Sequence, residues 1–375
     1  MQGKVRWLIV IVLLICVIIG GGTTAAIFQK SSLAHVYWKN LNRQQTTKVR
    51  QASMTKGLAT VDTAKLTTYL KKTGFVGNLA VMNAGRLVYQ QTYDKDSQKI
   101  KRTKQTKYQI GTLQNVVIAA ATMKLVQAGR LKLSTPVNQY YLLNDATDEL
   151  TVGSLLTMTS GLANATKPMH KLSNNVINWN LVNTTVGAPG NYNFQTVNYV
   201  LLAGIIAQVS GTSYQEYIRN SILQPAGLKH TGFVKSAAVQ KKLAPPFIIN
   251  NANGQVTPVD QAALFQAMNG QLGTKQFYTT AGDLAYLIRY LTNDEFLPEK
   301  YRQKCIFTSQ RTNYTGRLVL ENRQITGQAT MIGYQSALAF TKSGNTGIVL
   351  LSNYQKHDDL LVTAKKLLKI IKKSH

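Results

Sequence analysis

Two polar residues precede a run of sequence that predicts a buried helix. Residues 116–128 are almost entirely apolar, with Lys124 as their only charge, and a helix that is apolar all round lies inside a domain. Gly129 follows, where a left-handed helix end falls. Thr112 and Asn115 lie one turn apart on one face, beside the unpaired N–H groups and the positive dipole end of the helix. The Thr112 hydroxyl is therefore placed where a helix cap lies.

The residues around this site carry a resemblance. Residues 108–115 read Tyr-Gln-Ile-Gly-Thr-Leu-Gln-Asn, and the alanine-rich helix is followed by Gly-Arg-Leu-Lys-Leu-Ser-Thr-Pro-Val. This resembles the active-site segment of the β-lactamase-related serine hydrolases, which include low-molecular-weight penicillin-binding proteins. The central Leu-Gln resembles their Gram-positive wall branch of D-alanyl carboxypeptidases and teichoic acid D-alanine esterases. The family has Ser-x-x-Lys here, which implies that Thr112 replaces the serine and that Asn115, whose amide is no base, replaces the activating lysine.

The second motif of this family is Tyr-x-Asn or Tyr-Ser-Asn, on a loop before a helix. Residues 189–199 read Pro-Gly-Asn-Tyr-Asn-Phe-Gln-Thr-Val-Asn-Tyr and lead into an apolar run. Alignment on Asn198 and that run places Phe194 at the tyrosine and Thr196 at the asparagine. A phenyl ring cannot relay protons as a phenol does. Tyr192, two residues away on the same face of an extended segment, is the rival for the missing phenol.

The third motif is Lys-Thr-Gly or His-x-Gly, on a strand that lines the cleft. It precedes a Gly-Tyr-Gln-Ser landmark at residues 333–336, and counting back places Gly327, Gln328 and Ala329 at the motif. None of these residues carries a cation that contacts a substrate carboxylate or protonates a leaving group. Backbone N–H groups of Ala329 or a neighbour and of Thr112 still suit an oxyanion hole, which needs no side chain.

Three separate stretches thus lack the base, the proton relay and the third-motif cation. Proton transfer alone typically contributes about 10²–10⁴-fold to a rate. The sequence therefore predicts a pseudoenzyme, a kept fold that binds rather than hydrolyses. Two alternatives stay open: a residual D-alanyl esterase or carboxypeptidase-like hydrolase with Thr112 as nucleophile, and adhesion or scaffolding by charge alone.

The charge of the chain favours anionic surroundings. Its 43 Lys and Arg against 15 Asp and Glu give a net charge of +28 over 375 residues, which suits nucleic acid, anionic lipid or a phosphate-rich polymer. No nucleic-acid recognition motif accompanies this charge. Together with the charge, the resemblance to wall-acting proteins implies an anionic cell-wall polymer such as teichoic acid, or another partner, as what the protein binds. The histidines lack metal-binding spacing, the two cysteines form no disulfide framework, and a phosphate loop is absent, so neither a metal nor a cofactor is expected.

An N-terminal membrane anchor is predicted at residues 7–28, after a short cytoplasmic N-terminus at 1–6. The segment has about the 20 apolar residues that a bilayer needs. A cleaved signal peptide is the alternative, with a weak small-residue site at 24–26. Residues 29–60 are polar and basic, as in a juxtamembrane spacer, and hold a Ser-x-x-Lys at 53–56 that no buried helix follows. The resemblance implies a single-pass cell-membrane protein with its main domain outside the cell.

The remaining residues, 61–375, are predicted to form one α+β domain of the β-lactamase and penicillin-binding type. Strand patterns at both ends and helix patterns between them indicate an antiparallel sheet flanked by helices, an αβα sandwich, with a helical subdomain. Residues 247–261 show little periodicity and are predicted to be a loop insertion. The aligned site residues are expected to converge on one pocket between the subdomain and the sheet: Thr112, Asn115, Phe194, Thr196 and Gln328.

Overall fold

The computed structural model describes eight stretches of the chain: residues 61–94, 101–143, 147–164, 176–250, 252–305, 307–308, 318–355 and 359–373. The predicted anchor, the basic spacer and the Ser-x-x-Lys at 53–56 lie outside them. Within the described stretches, no helix combines the length and the apolar character needed to cross a bilayer.

Strands lie towards both ends of the domain, with helices between them, which confirms the predicted α+β class. The described residues form fifteen strands: β1 (Gly77–Asn83), β2 (Arg86–Tyr93), β3 (Tyr108–Gln109), β4 (Leu162–Ala163), β5 (Thr185–Val186), β6 (Gly232–Phe233), β7 (Phe247–Ile249), β8 (Val256–Pro258), β9 (Phe277–Thr279), β10 (Phe307–Thr308), β11 (Leu318–Glu321), β12 (Gln324–Met331), β13 (Tyr334–Thr341), β14 (Gly347–Ser352) and β15 (Tyr354–Gln355).

Eleven α-helices complete the described part of the domain. They are α1 (Thr63–Lys72), α2 (Asn115–Gln127), α3 (Val152–Thr157), α4 (Val176–Asn183), α5 (Val197–Ser210), α6 (Tyr214–Ile218), α7 (Ala237–Gln240), α8 (Gln261–Asn269), α9 (Ala281–Leu291), α10 (Glu299–Cys305) and α11 (Leu360–Lys373). A 3-10 turn (Gly111–Gln114) leads directly into α2. It is called the Thr112 turn below.

The middle layer is a seven-stranded sheet in the order β10-β11-β12-β13-β14-β1-β2. Each neighbouring pair is antiparallel except β10 and β11. β1 and β2 form a hairpin, and its turn has two positive φ angles, 47° at Ala84 and 74° at Gly85. Such paired positive angles match the twist of the strands that they join. Because β1 pairs with β14, the two ends of the domain meet inside one sheet.

Helices cover both faces of this sheet, as the αβα prediction requires. α1 and α11 pack on one face over an apolar cluster that includes Leu66, Leu79, Ala337 and Leu367. α9 and the Thr112 turn pack on the other face. The Asp62 side chain caps α1 by accepting a hydrogen bond from the Lys65 N–H at 3.0 Å.

A helical subdomain surrounds α2 and α5. These two almost wholly apolar helices pack against each other, and α3, α4 and α6 pack on α5. The prediction of a loop insertion at residues 247–261 was wrong, because β7 and β8 pair there and β15 joins them. The sequence shows no alternation of apolar and polar residues in this stretch because the strands are only three residues long. Their partner, β15, is also distant in the chain.

Candidate active site

Thr112 lies at the predicted place, directly before the buried helix α2. Its side chain is 4 % exposed, and its Oγ1 makes no hydrogen bond with any described residue. The hydroxyl does not cap the helix, since neither the turn nor α2 has a side-chain cap bond. The capping alternative therefore fails, and the hydroxyl is also shielded from solvent.

Asn115, at the position of the family's lysine, is fully buried in the first turn of α2. Neither its Oδ1 nor its Nδ2 is hydrogen-bonded within the described part of the chain. A buried polar group without a partner costs about 1–3 kcal/mol. Asn115 therefore supplies no base and stabilises no neighbour through its amide.

The Thr112 turn is held by the segment that contains β9. Gln109 Nε2 donates to the Lys275 carbonyl at 3.0 Å, and the Phe277 N–H donates to Gln114 Oε1 at 2.8 Å. The Ile110 N–H also donates to the Phe277 carbonyl at 3.3 Å. Burial lowers the pKa of the Lys275 amine. Lys275 is thus a partly desolvated cation on the segment that binds the turn, and sequence reasoning missed it because it belongs to no family motif.

On its other side, the Thr112 turn packs directly against β12. A Cβ added at Gly327 would lie 2.9 Å from Leu113 Cδ1 and 3.0 Å from Leu318 Cδ2. Gly111 approaches the same strand, where its added Cβ would lie 3.4 Å from the Ala329 Cβ. A side chain at the position that aligns with the family's Lys or His would therefore have to displace the leucine side chains beside Gly327.

Gln328 does not join Thr112. Successive side chains of a strand point to opposite faces, and it is Gly327 and Ala329 that face the Thr112 turn. Gln328 is paired with Ala337, which belongs to the apolar cluster beneath α1 and α11. The register therefore places Gln328 on the opposite face of the sheet, contrary to the expectation that it shares a pocket with Thr112.

Phe194 and Tyr192 lie on the loop before α5. Backbone hydrogen bonds attach this loop to residues 158–161, including Asn193 N–H to the Met158 carbonyl at 2.8 Å and Gly187 N–H to the Gly161 carbonyl at 3.0 Å. Both aromatic side chains are partly buried and pack against the main core. The choice between Phe194 and Tyr192 therefore stays open.

The start of α5 is held by a set of polar contacts that sequence reasoning missed. Asn164 Oδ1 accepts from the Val197 N–H at 2.8 Å and from Thr196 Oγ1 at 3.2 Å. Ser160 Oγ donates to the buried Asn198 Oδ1 at 2.6 Å. The sequence contains one indication of these contacts: Asn198 is a polar residue at the start of an apolar helix, where a buried amide needs a hydrogen-bond partner. Thr196 thus positions the loop through its bond to Asn164, and its meeting with Thr112 stays a prediction.

The structure packs the Thr112 turn, which leads directly into Asn115, against β12 around Gly327. α2 also packs against α5, the helix that Phe194 and Thr196 precede. The meeting of Phe194 with Thr112 itself stays a prediction. Among the described side chains, no three His, Cys, Asp or Glu residues are grouped as a metal site would require.

We expect Gly161→Ala to destabilise the domain and to release the Phe194 loop. Gly161 has a φ of +77°, and an added Cβ would lie 2.2 Å from the Gly187 carbonyl oxygen. Gly211→Ala is the matched control, because its φ is +73° but no described atom lies within 4 Å of its added Cβ. Thermal unfolding should show a loss about 1–3 kcal/mol larger for Gly161→Ala than for the control. Equal losses would contradict the close contact.

A largely antiparallel sheet between helical layers, with a hydroxyl-bearing turn at the start of a buried helix, is the arrangement that the resemblance to the β-lactamases and penicillin-binding proteins implied. The chain belongs to the beta-lactamase family, whose profile matches residues 63–370. It is 26 % identical over 339 residues to PbpX of Bacillus subtilis (strain 168), a protein named for the penicillin-binding proteins, and this match covers 88 % of the chain and 85 % of PbpX.

Solved structures share the fold. FmtA from Staphylococcus aureus has a TM-score of 0.68 and 18 % sequence identity, over 82 % of this chain and 87 % of FmtA. The D-amino acid amidase from Ochrobactrum anthropi SV3 has a TM-score of 0.69 and 19 % identity, over 83 % of this chain and the whole of the amidase. At these identities the likeness shows the fold alone.

Proposed function

We propose that this protein is a membrane-anchored, extracellular pseudoenzyme of the beta-lactamase family, which binds an anionic wall polymer such as teichoic acid, or a partner, instead of hydrolysing a substrate. The observation that carries the proposal is the burial of Thr112 and Asn115. The Thr112 hydroxyl oxygen and both polar atoms of the Asn115 amide are buried, without a hydrogen-bond partner among the described residues.

Acyl transfer needs an accessible nucleophile and a neighbouring group that takes its proton. The buried Thr112 hydroxyl offers poor access to a substrate carbonyl. The Asn115 amide accepts no proton near neutral pH, and Leu113 fills the space beside Gly327 where the third-motif cation would stand. These three features support binding without turnover.

The proposed location and partner rest on charge and on the N-terminal sequence. A protein with a net charge of +28 attracts polyanions electrostatically. The apolar run at residues 7–28 supports the anchor, and the basic residues at 29–60 support a position near anionic headgroups.

The second candidate is a residual hydrolase with Thr112 as nucleophile. Lys275 favours it, because burial lowers the pKa of its amine and its segment binds both Gln109 and Gln114. A lysine with a lowered pKa can act as a general base only within reach of the hydroxyl, so this candidate requires Lys275 to approach Thr112 Oγ1, to which it is not hydrogen-bonded in the structure. Any activity in this case should disappear in Lys275→Met and in Thr112→Val.

Covalent labelling tests the proposal. The full chain, purified in non-ionic detergent, is incubated with a fluorescent penicillin and with an activated phosphonate, and peptide mass mapping locates any adduct. We expect no label at Thr112, and Thr112→Val should give the same background as the unmodified chain. Stoichiometric labelling at Thr112 would overturn the pseudoenzyme proposal. Labelling at Ser53 would move the active site into the predicted spacer and overturn it as well.

A further inference from the structure

The outer faces of α1 and α11 form a basic surface on one side of the sheet. We call it the lysine surface. It contains seven lysines: Lys65, Lys71, Lys72, Lys365, Lys366, Lys369 and Lys372. Lys65 is paired with Asp62 at 2.9 Å, whereas the other six form no ion pair with a described residue. Lys366 Nζ lies 5.4 Å from the centre of the Tyr69 ring, so its charge bridges the two helices.

The charges of α11 oppose one another. The helix contains no acidic residue, and Lys365 and Lys369 are four residues apart, a spacing at which like charges destabilise a helix. Burial of Leu367, Leu368 and Ile371 against the sheet holds α11 in place. A bound polyanion would relieve this repulsion, so the surface is electrostatically matched to repeated negative charges.

We infer that the lysine surface binds a linear polymer of phosphodiesters. This inference rests on the proposed function and names the surface that carries out its binding step. Helices that lie in a membrane bury an apolar face in it, but the apolar face of α11 is already buried against the sheet. Its exposed positions are lysines and Val362. These exposed charges suit a flexible chain of phosphates that follows both helices.

This surface is separate from the degenerate site. α1 and α11 cover the face of the sheet that carries Ala337, whereas the Thr112 turn packs on the opposite face against Gly327 and Ala329. Polymer binding at the lysine surface therefore needs neither Thr112 nor Asn115. Binding at this surface therefore does not require catalytic activity.

The test measures binding of fluorescein-labelled poly(glycerol phosphate) to the full chain in non-ionic detergent, by fluorescence anisotropy. One variant combines Lys366→Gln, Lys369→Gln and Lys372→Gln. The matched control combines Lys235→Gln, Lys241→Gln and Lys242→Gln, three exposed lysines on or beside α7. Both variants remove three charges. At about 0.1 M salt we expect the first to bind at least about tenfold more weakly and the control to change less than about twofold.

The outcomes separate the surface from the proposed function. Equal weakening of both variants would show that net charge alone attracts the polymer, and would overturn the inference. Tight binding by the unmodified chain with an unaffected lysine-surface variant would also overturn it, while leaving polymer binding intact. Failure of the unmodified chain to bind would remove the proposed polymer partner as well.

Two further measurements bear on the chemistry of the ligand. Affinity should fall steeply between about 0.1 M and about 1 M salt, because the Debye length shrinks from about 10 Å to about 3 Å. Unchanged affinity would contradict an electrostatic surface. Micelles doped with phosphatidylglycerol, added at the same phosphate concentration as the polymer, should not displace it. Displacement would assign the surface to membrane headgroups instead.

Discussion

Replacing Asn115 with lysine, the residue that the family has at this position, is expected to destabilise the domain by about 3–5 kcal/mol. Asn115 is fully buried, and the residues that follow it in α2 are apolar. A charged lysine there would lie in a low-dielectric interior without a carboxylate partner, and a neutral one requires a large downward pKa shift. A loss of this size removes a large fraction of the stability of a typical domain.

Asn115→Leu is the matched control, because leucine has a similar size and no polar atoms. Since neither atom of the Asn115 amide is hydrogen-bonded within the described residues, removing the amide should be neutral or stabilising, by up to about 2 kcal/mol. Thermal unfolding of the full chain, followed by circular dichroism, compares the two variants. A strong loss for Asn115→Leu would reveal a partner for the amide. Tolerance of Asn115→Lys would show an open lysine pocket, which contradicts the burial argument for a pseudoenzyme.

Restoration of the family's residues is therefore expected to cost most at Asn115. Thr112→Ser removes one methyl group, and Phe194→Tyr adds one hydroxyl at a partly buried side chain. Asn115→Lys instead introduces a buried charge. Gly327 adds a second obstacle, because Leu113 and Leu318 occupy the space that a third-motif cation needs. The packing around Asn115 and Gly327 therefore leaves little space for the side chains that the family has at these positions.

Local patterns in the sequence predicted the elements that local interactions define. The apolar run that follows the second-motif segment lies within α5, as its composition indicates. Gly129 has the positive φ, 71°, that its place after α2 predicted. Thr112 and Asn115 lie at the start of α2 for the same reason, because the boundary between polar and apolar sequence is visible in one short window.

The sequence did not predict features that depend on pairing between distant segments. Counting residues located Gln328 within the third motif, but the face on which it lies depends on how β12 pairs with β13 and on which residues meet Leu113. A shift of one residue in such a register moves a side chain to the other face. The contacts of Asn164 and Ser160 with the start of α5 join residues more than 30 positions apart, and single windows do not contain them.

The second large effect is expected at a buried arginine that holds the segment leading to Thr112. The Arg102 side chain is fully buried and pairs through Nη1 with Asp94, whose side chain is 40 % exposed. Its Nε donates to Asn353 Oδ1 at 3.0 Å, and its guanidinium lies 5.4 Å from the centre of the Tyr354 ring. One cation thus connects the end of β2 with the junction of β14 and β15, just before β3 and the Thr112 turn.

Removal of Asp94 and removal of Arg102 should lower the free energy of unfolding by different amounts. Asp94→Ala leaves a buried guanidinium without its counter-charge, for which we expect a loss of about 3 kcal/mol. Arg102→Met leaves a carboxylate that water can reach, so the loss should be nearer to about 1–2 kcal/mol, mainly from the bond to Asn353. In the Arg102→Met background, Asp94→Ala should then cost less than about 1 kcal/mol. Urea unfolding of the four proteins measures this coupling. Additive losses would show that the buried charge is compensated elsewhere, and that Asp94 does not hold Arg102 in place.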